Sequence, residues 1–453
     1  MTDIDPETLD RIQKLALDTG EAATLEDAAK IFSAYRLQVE VLADGLAGQA
    51  AEAAFATVMN TAPRAFQGGV QVRLAADPVL QYGWCHGMKA SEVIASYGGG
   101  EVEVFSDAYP TLVLGSTESW PTDGLCLGAR HGGWVGGVVA DPGVRTPGSD
   151  DFPVAGVLAG AVAVAEAFQV LRGNVRAGRR NQGLSLWEPG RDWLDPEAQG
   201  PELKGLLAPT KLSFLGLGHL GQAYLWTLGW LPYPKPADLE LVLQDTDKIS
   251  RANLATSLIA TETALGQYKT RVLAAALEDR GFRTRLIERR FTEHQRIDYD
   301  PQIALVGVDN PATRALLDGA GWKLVIDVGL GAGAGDYLDA RLHSFPGTQT
   351  PGEIWGDRTG SFDEALLELP AYRAIEEKTG DHCGTIMIAG RAIGAAFVGA
   401  FAASIAVAEL LRYYADSEQR NDLIDLSLRD LSRPRVATAT QWHGAENLGY
   451  AAL

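Results

Sequence analysis

Four groups of residues in the second half of this 453-residue chain have the types and spacing that nucleotide chemistry requires. The first is Gly216, Gly218 and Gly221 in "FLGLGHLGQ", a GxGxxG turn that follows an apolar run and opens a helix. Backbone N–H groups at such a turn point at a phosphate, and the helix dipole favours its charge. The second is the strand end "LELVLQDTD", with Asp245 and Asp247, where an acidic side chain is placed to hold a ribose. To this point NAD and ATP both remain open. The third group is Asn253 in "SRANLATS" with Lys269 in "GQYKTR", and the fourth is Asp309 and Asn310 in "VGVDNPATR", followed by Arg314. A lysine gives phosphate a point charge, and a strand-end aspartate gives Mg²⁺ an oxygen. That set suits ATP with magnesium, and a nicotinamide ring needs neither the lysine nor the metal.

The three cysteines, Cys85, Cys126 and Cys383, form no CxxC pair. Neither a disulfide framework nor a Cys-rich zinc site is expected, and a reducing compartment is. Cys85 in "YGWCHGM" and Cys126 in "GLCLGA" have the apolar surroundings of core residues. Cys383 in "KTGDHCGTIMIAG" has small and polar neighbours and reads as part of a loop, at about 370–390, just before a long Ala-rich helix. An accessible thiol there is a nucleophile once ionised, with His382 beside it as a candidate base.

These residues need a scaffold that brings strand ends together. From residue 211 short apolar strands alternate with helices, which predicts a mostly parallel, doubly wound α/β sheet. Residues 1–65 read as helical, with a capping start at Thr24 and Asp27. Residues 66–150 read as short strands broken by glycine, and 154–172 as a helix. Residues 181–210, rich in Gly, Pro and Trp, read as a linker. "GVLAGAVAVAEAF" (156–168) aligns without a gap to "GAFAASIAVAELL" (399–411), with six identities. Each segment follows a comparable stretch, so the expectation is two related halves: a degenerate first copy over 1–180 and an active second copy over 211–453.

The net charge of −19 disfavours nucleic acid as a partner, because phosphate neutralisation needs clustered Lys and Arg. The acidic start "MTDIDPETLD" lacks an apolar secretory segment. The uncharged run Ala392–Ala408 sits at the lower limit for a membrane span and reads as a buried helix. A cytoplasmic protein with no membrane role is expected.

Together the four groups resemble the ThiF-type adenylyltransferases, the family that includes ubiquitin-activating enzymes. Its pattern of GxGxxG, DxDxVxxSNLxRQ, GxxK and a strand ending Asp-Asn stands here as "GLGHLG", "DTDKISRANLATS", "GQYKT" and "VDNPATR". The resemblance covers 211–330 closely. It implies ATP and Mg²⁺ as cofactors, with Asp245 at the ribose, Asn253 and Lys269 at the phosphates, and Asp309 at the metal. It implies adenylation of the C-terminal glycine of a ubiquitin-like protein. Cys383 would then form a thioester, as in the similar Cys-Thr loop of autophagy-type activating enzymes, and pass the acyl group to a conjugating enzyme. A silent N-terminal partner domain resembles bacterial ubiquitin-like conjugation systems, some of them antiviral, with the halves paired as a pseudo-dimer. A sulfur-carrier adenylyltransferase and a silent scaffold are the alternatives. One departure stands out: the family has Arg three residues after the Asn, where this chain has Thr256. Arg251 is a nearby substitute. The family's trans-acting arginine would come from Arg11, Arg36 or Arg64.

Overall fold

The computed structural model describes residues 9–292, 301–357, 363–415, 420–438 and 449–453. The first half contains β1 (Arg36–Val41), β2 (Gly69–Leu74), β3 (Gly100–Glu101), β4 (Thr111–Leu114), β5 (Cys126–Gly132), β6 (Val135–Val139) and β7 (Gln182–Ser185). They form one sheet in the order β3-β2-β1-β4-β5-β6-β7. A short strand, β8 (Leu207–Pro209), lies between the halves. The second half contains β9 (Lys211–Leu215), β10 (Glu240–Gln244), β11 (Arg283–Ile287), β12 (Ile303–Val306), β13 (Leu324–Leu330), β14 (Asp339–Phe345), β15 (Asn421–Ser427) and β16 (Arg435–Thr438). Their order is β11-β10-β9-β12-β13-β14-β15-β16.

The two sheets repeat the same winding. In each, the first five strands in sequence are parallel and the later ones antiparallel. A helix follows the first strand of each half (Gln49–Ala65 and His219–Leu228), and an Ala-rich helix precedes the last shared strand (Pro153–Leu171 and Ala396–Tyr414). The first half is a degenerate copy of the second.

Both Ala-rich helices have the length and apolarity to cross a membrane, yet almost all of each is buried inside the protein. They pack on one another, with the Phe168 and Phe397 rings 5.6 Å apart. Their glycine faces turn elsewhere, each towards the helix that follows the first strand of its own half. A Cβ on Gly156 would meet the Ala50 carbonyl at 2.0 Å, and one on Gly399 would meet His219 Nε2 at 2.5 Å. Each helix also carries one buried glutamate, Glu166 or Glu409, at matching positions. Glu166 accepts from Gly178 N and Arg180, and Glu409 from Asn421 N and Arg412. The bonds from Gly178, Arg180 and Asn421 tie the returning chain to each helix, and such satisfaction is what makes a buried carboxylate tolerable.

Two segments depart from the sequence expectations. Thr24 does cap a helix, accepting from Asp27 N at 3.0 Å, but that helix ends at Ser33 and Arg36–Val41 is an interior strand of its sheet. Leu37, Val39 and Val41 alternate with Gln38 and Glu40, a period of two. All five are buried, with Gln38 donating to Thr111 and Glu40 accepting from Arg73. The second departure lies at 181–210, which holds β7 of the first sheet and β8. Strand β8 pairs with the C-terminal strand β17 (Tyr450–Ala452).

Candidate functional site

The glycine turn joins β9 to the helix His219–Leu228, and its glycines have different reasons to be there. Gly216 has φ +84°, and a Cβ on it would stand 2.9 Å from Val308. A Cβ on Gly221 would lie 2.1 Å from the Gly216 carbonyl. At Gly218, the helix N-cap, a Cβ would meet nothing within 4 Å. The first two glycines close the turn, and the third leaves open space at a helix N-terminus, as a bound phosphate needs.

The strand end after β10 faces this turn. Asp245 accepts from Leu217 N at 2.6 Å and from Asp247 N at 2.7 Å, so one carboxylate braces both loops. The Lys269 ammonium, 6% exposed, lies 2.9 Å from Asp247 Oδ2 and 3.9 Å from Asp245 Oδ2. Asn253 sits in the helix Arg251–Leu254, where its Oδ1 accepts from Ser250 N at 2.9 Å. Arg251 is exposed, 3.7 Å from Glu262, and is turned from this cluster.

Asp309 is exposed just beyond β12. Its neighbour Asn310 caps the helix Pro311–Ala315 by accepting from Ala312 N and Thr313 N. Arg11 from the N-terminal segment reaches the same region. Its Nε donates to the Ala392 carbonyl at 2.6 Å, and its carbonyl accepts from Gly394 N at 3.2 Å. Burial pushes the Arg11 guanidinium down from its usual range, and the Asp309 carboxylate nearby opposes that shift. Thr256 is 6% exposed and packs at the same point: a Cβ on Gly394 would meet Thr256 Cγ2 at 2.7 Å and Arg11 Cβ at 3.6 Å. Of the other arginines, Arg64 donates to the Leu254 carbonyl at 3.0 Å and supports the Asn253 helix. Arg36 lies over the Tyr109 ring, within the first half.

The register of the two sheets shows what the first half has lost. Val41 pairs with Leu74 and Leu114 as Leu215 pairs with Gln244 and Val306. Counting on from those pairs sets Ala75 where Asp245 stands and Thr117 where Asp309 stands. Extending the ungapped alignment of the Ala-rich helices sets Asp151 opposite Gly394. The Asp151 carboxylate accepts from Gln49 N at 2.7 Å and Ala50 N at 2.6 Å, and a Cβ on Gly48 would lie 2.5 Å from it. The helix start that is open at Gly218 is filled by a side chain at Gly48.

Cys383 differs from the expected loop placement. It is the second residue of a separate helix, His382–Ala389, which Asp381 caps by accepting from Gly384 N at 2.9 Å. The residues Gly390–Ala395 then break the chain before the Ala396–Tyr414 helix. Cys383 is exposed, whereas burial pushes the Cys85 thiol up to about 12 and raises that of Cys126. His382 Nδ1 is 2.9 Å from Glu376 Oε1. Among the described residues Cys383 shares no hydrogen bond or ion pair with the nucleotide cluster.

Glycine, acid and lysine cluster at the strand ends of one lobe, with a degenerate copy packed against it. Family models for the BilD N-terminal and C-terminal domains match residues 36–186 and 208–417. The bacterial E1-like protein BilD of Collimonas sp. (strain OK412) is 37% identical over 414 residues, covering 90% of this chain and 89% of that one. The chain belongs to the BilD family. Among solved structures it is similar to E. coli MccB, with 16% identity and a TM-score of 0.35 over 54% of this chain. The ATP-containing MccB structure gives 14% identity and 0.34 over 53%. Both matches span 66% of the MccB chain.

Proposed function

We propose that this protein activates a ubiquitin-like protein by adenylating its C-terminal glycine, then carries it as a thioester on Cys383 to a conjugating enzyme. The observation that carries the reading is the open turn at Gly218 with Lys269 held between Asp245 and Asp247 beside it. The E1-like name of the Collimonas relative supports it. The turn amides, Asn253 Nδ2 and Lys269 hold the triphosphate, and Asp245 holds the ribose. The exposed Asp309 carboxylate is a hard oxygen that would suit Mg²⁺, whose charge would stabilise the departing pyrophosphate.

A modifier carboxylate oxygen bonds to the α-phosphorus, the bond to the β,γ-pyrophosphate breaks, and pyrophosphate leaves. Arg11 supplies the cation missing at Thr256. The Cys383 thiol loses its proton to solvent, its sulfur bonds to the acyl carbon, and AMP leaves. The first half serves as the silent partner of a pseudo-dimer, since Ala75, Thr117 and Asp151 replace or fill its nucleotide groups. Cys383→Ala tests the order of steps. Pyrophosphate exchange with candidate small proteins ending in glycine should stay near wild type, while the thiol-sensitive adduct on non-reducing gels disappears. Persistence of the adduct would show that another cysteine carries it.

A further inference from the structure

Beneath the Asp309 loop lies a buried polar assembly that these steps do not use. Arg314 is 6% exposed and Asp327 is fully buried. Arg314 Nε and Nη2 both donate to the Val308 carbonyl, at 2.9 and 2.7 Å, and Nη2 donates to the Val328 carbonyl at 2.8 Å. The guanidinium stands 3.5 Å from Asp327 and lies over the Trp355 ring, 4.6 Å from its centre. Tyr224 also donates to the Val306 carbonyl at 2.8 Å. The backbone leading to Asp309 is thus held from below at residues 306 and 308, and Asn310 fixes it on the far side. Asp309, itself exposed, stands between these two clamps.

A buried ion pair seldom adds net stability over an apolar replacement, because desolvation offsets the attraction. A planar fork that grips one carbonyl twice has a different use, since it fixes direction as well as distance. We infer that Arg314 is a positioning residue, which aims the Asp309 carboxylate at the magnesium of bound nucleotide. The inference rests on reading Asp309 as the metal's protein ligand.

The test measures ATP affinity of the full chain by calorimetry with and without Mg²⁺, alongside the melting temperature. Asp309→Ala should abolish the gain in affinity that Mg²⁺ gives. Arg314→Lys keeps the charge but loses the fork, and should cut that gain about tenfold with Mg²⁺-free affinity near wild type. Asp327→Asn keeps the bonds to Val308 and should retain the gain. Should Arg314→Lys fail to fold, Trp355→Leu, which removes the ring against the guanidinium, should show the same selective loss. An intact Mg²⁺ effect in Asp309→Ala would remove the reading of Asp309. Loss of the effect in Asp309→Ala with full retention in Arg314→Lys, or an equal fall in both affinities, would overturn the positioning role.

Discussion

Replacing Arg11 by alanine separates a catalytic charge from a structural one. Among the described residues Arg11 makes one side-chain bond, to the Ala392 carbonyl at 2.6 Å, and lies within electrostatic reach of Asp309 and His219. Loss of the bond should cost about 1 kcal/mol of stability, a modest change for the whole chain. Loss of a preorganised cation facing the phosphates should cost far more in rate. Removing such a stabiliser lowers turnover by roughly 10²–10³, or about 2.7–4 kcal/mol of transition-state energy. Arg11→Lys should restore part of the rate, because the charge remains while the fork is lost. Arg36→Ala is the control, since Arg36 packs over Tyr109 in the first half. The assay is ATP–pyrophosphate exchange at saturating modifier, with melting temperature measured in parallel. Wild-type exchange in Arg11→Ala, or equal losses in Arg11→Ala and Arg36→Ala, would refute the assignment.

Lys269→Ala should weaken ATP binding by about 1.5–3 kcal/mol, the worth of a charged hydrogen bond, as read by calorimetry. Asp151→Ala removes the acceptor for Gln49 N and Ala50 N and should lower stability by about 1 kcal/mol in denaturant melts while leaving pyrophosphate exchange unchanged. His219 gives a pH signature: burial, aided by Arg11, pushes its pKa down to about 3, and its Nε2 is shut off from solvent without a partner. A depressed histidine contributes stability that is present above pH 6.5 and lost as pH falls towards 3. Between pH 7 and pH 5 the stability of wild type relative to His219→Gln should therefore fall by about 2 kcal/mol.

The glycine turn and the strands that follow it were legible because each motif is local: a period-two apolar run, then glycines, then a helix. The copy in the first half was legible through its Ala-rich helix, whose small residues and buried glutamate recur at matching positions. Strand β1 was obscured because two of its buried residues, Gln38 and Glu40, are polar, and their partners Thr111 and Arg73 are distant in sequence. The separate helix of Cys383 was hidden because the polar and small residues around Cys383 read as a loop, whereas Asp381 in fact caps a helix there. The choice of Arg11 over Arg36 and Arg64 depends on which surface of the first half meets the second. No local pattern records that. The same is true of Arg314, whose bonds to Val308 and Val328 join a helix to two strand ends.

The central claim is that the second half forms an acyl-adenylate from ATP and a protein carboxylate. Exchange of labelled pyrophosphate into ATP tests it most directly, with the full chain, Mg²⁺ and a ubiquitin-like protein ending in glycine. The account predicts exchange that requires the modifier's terminal glycine and is abolished by Asp309→Ala. Saturable NAD binding without ATP binding, or no modifier-dependent exchange in wild type, would contradict it.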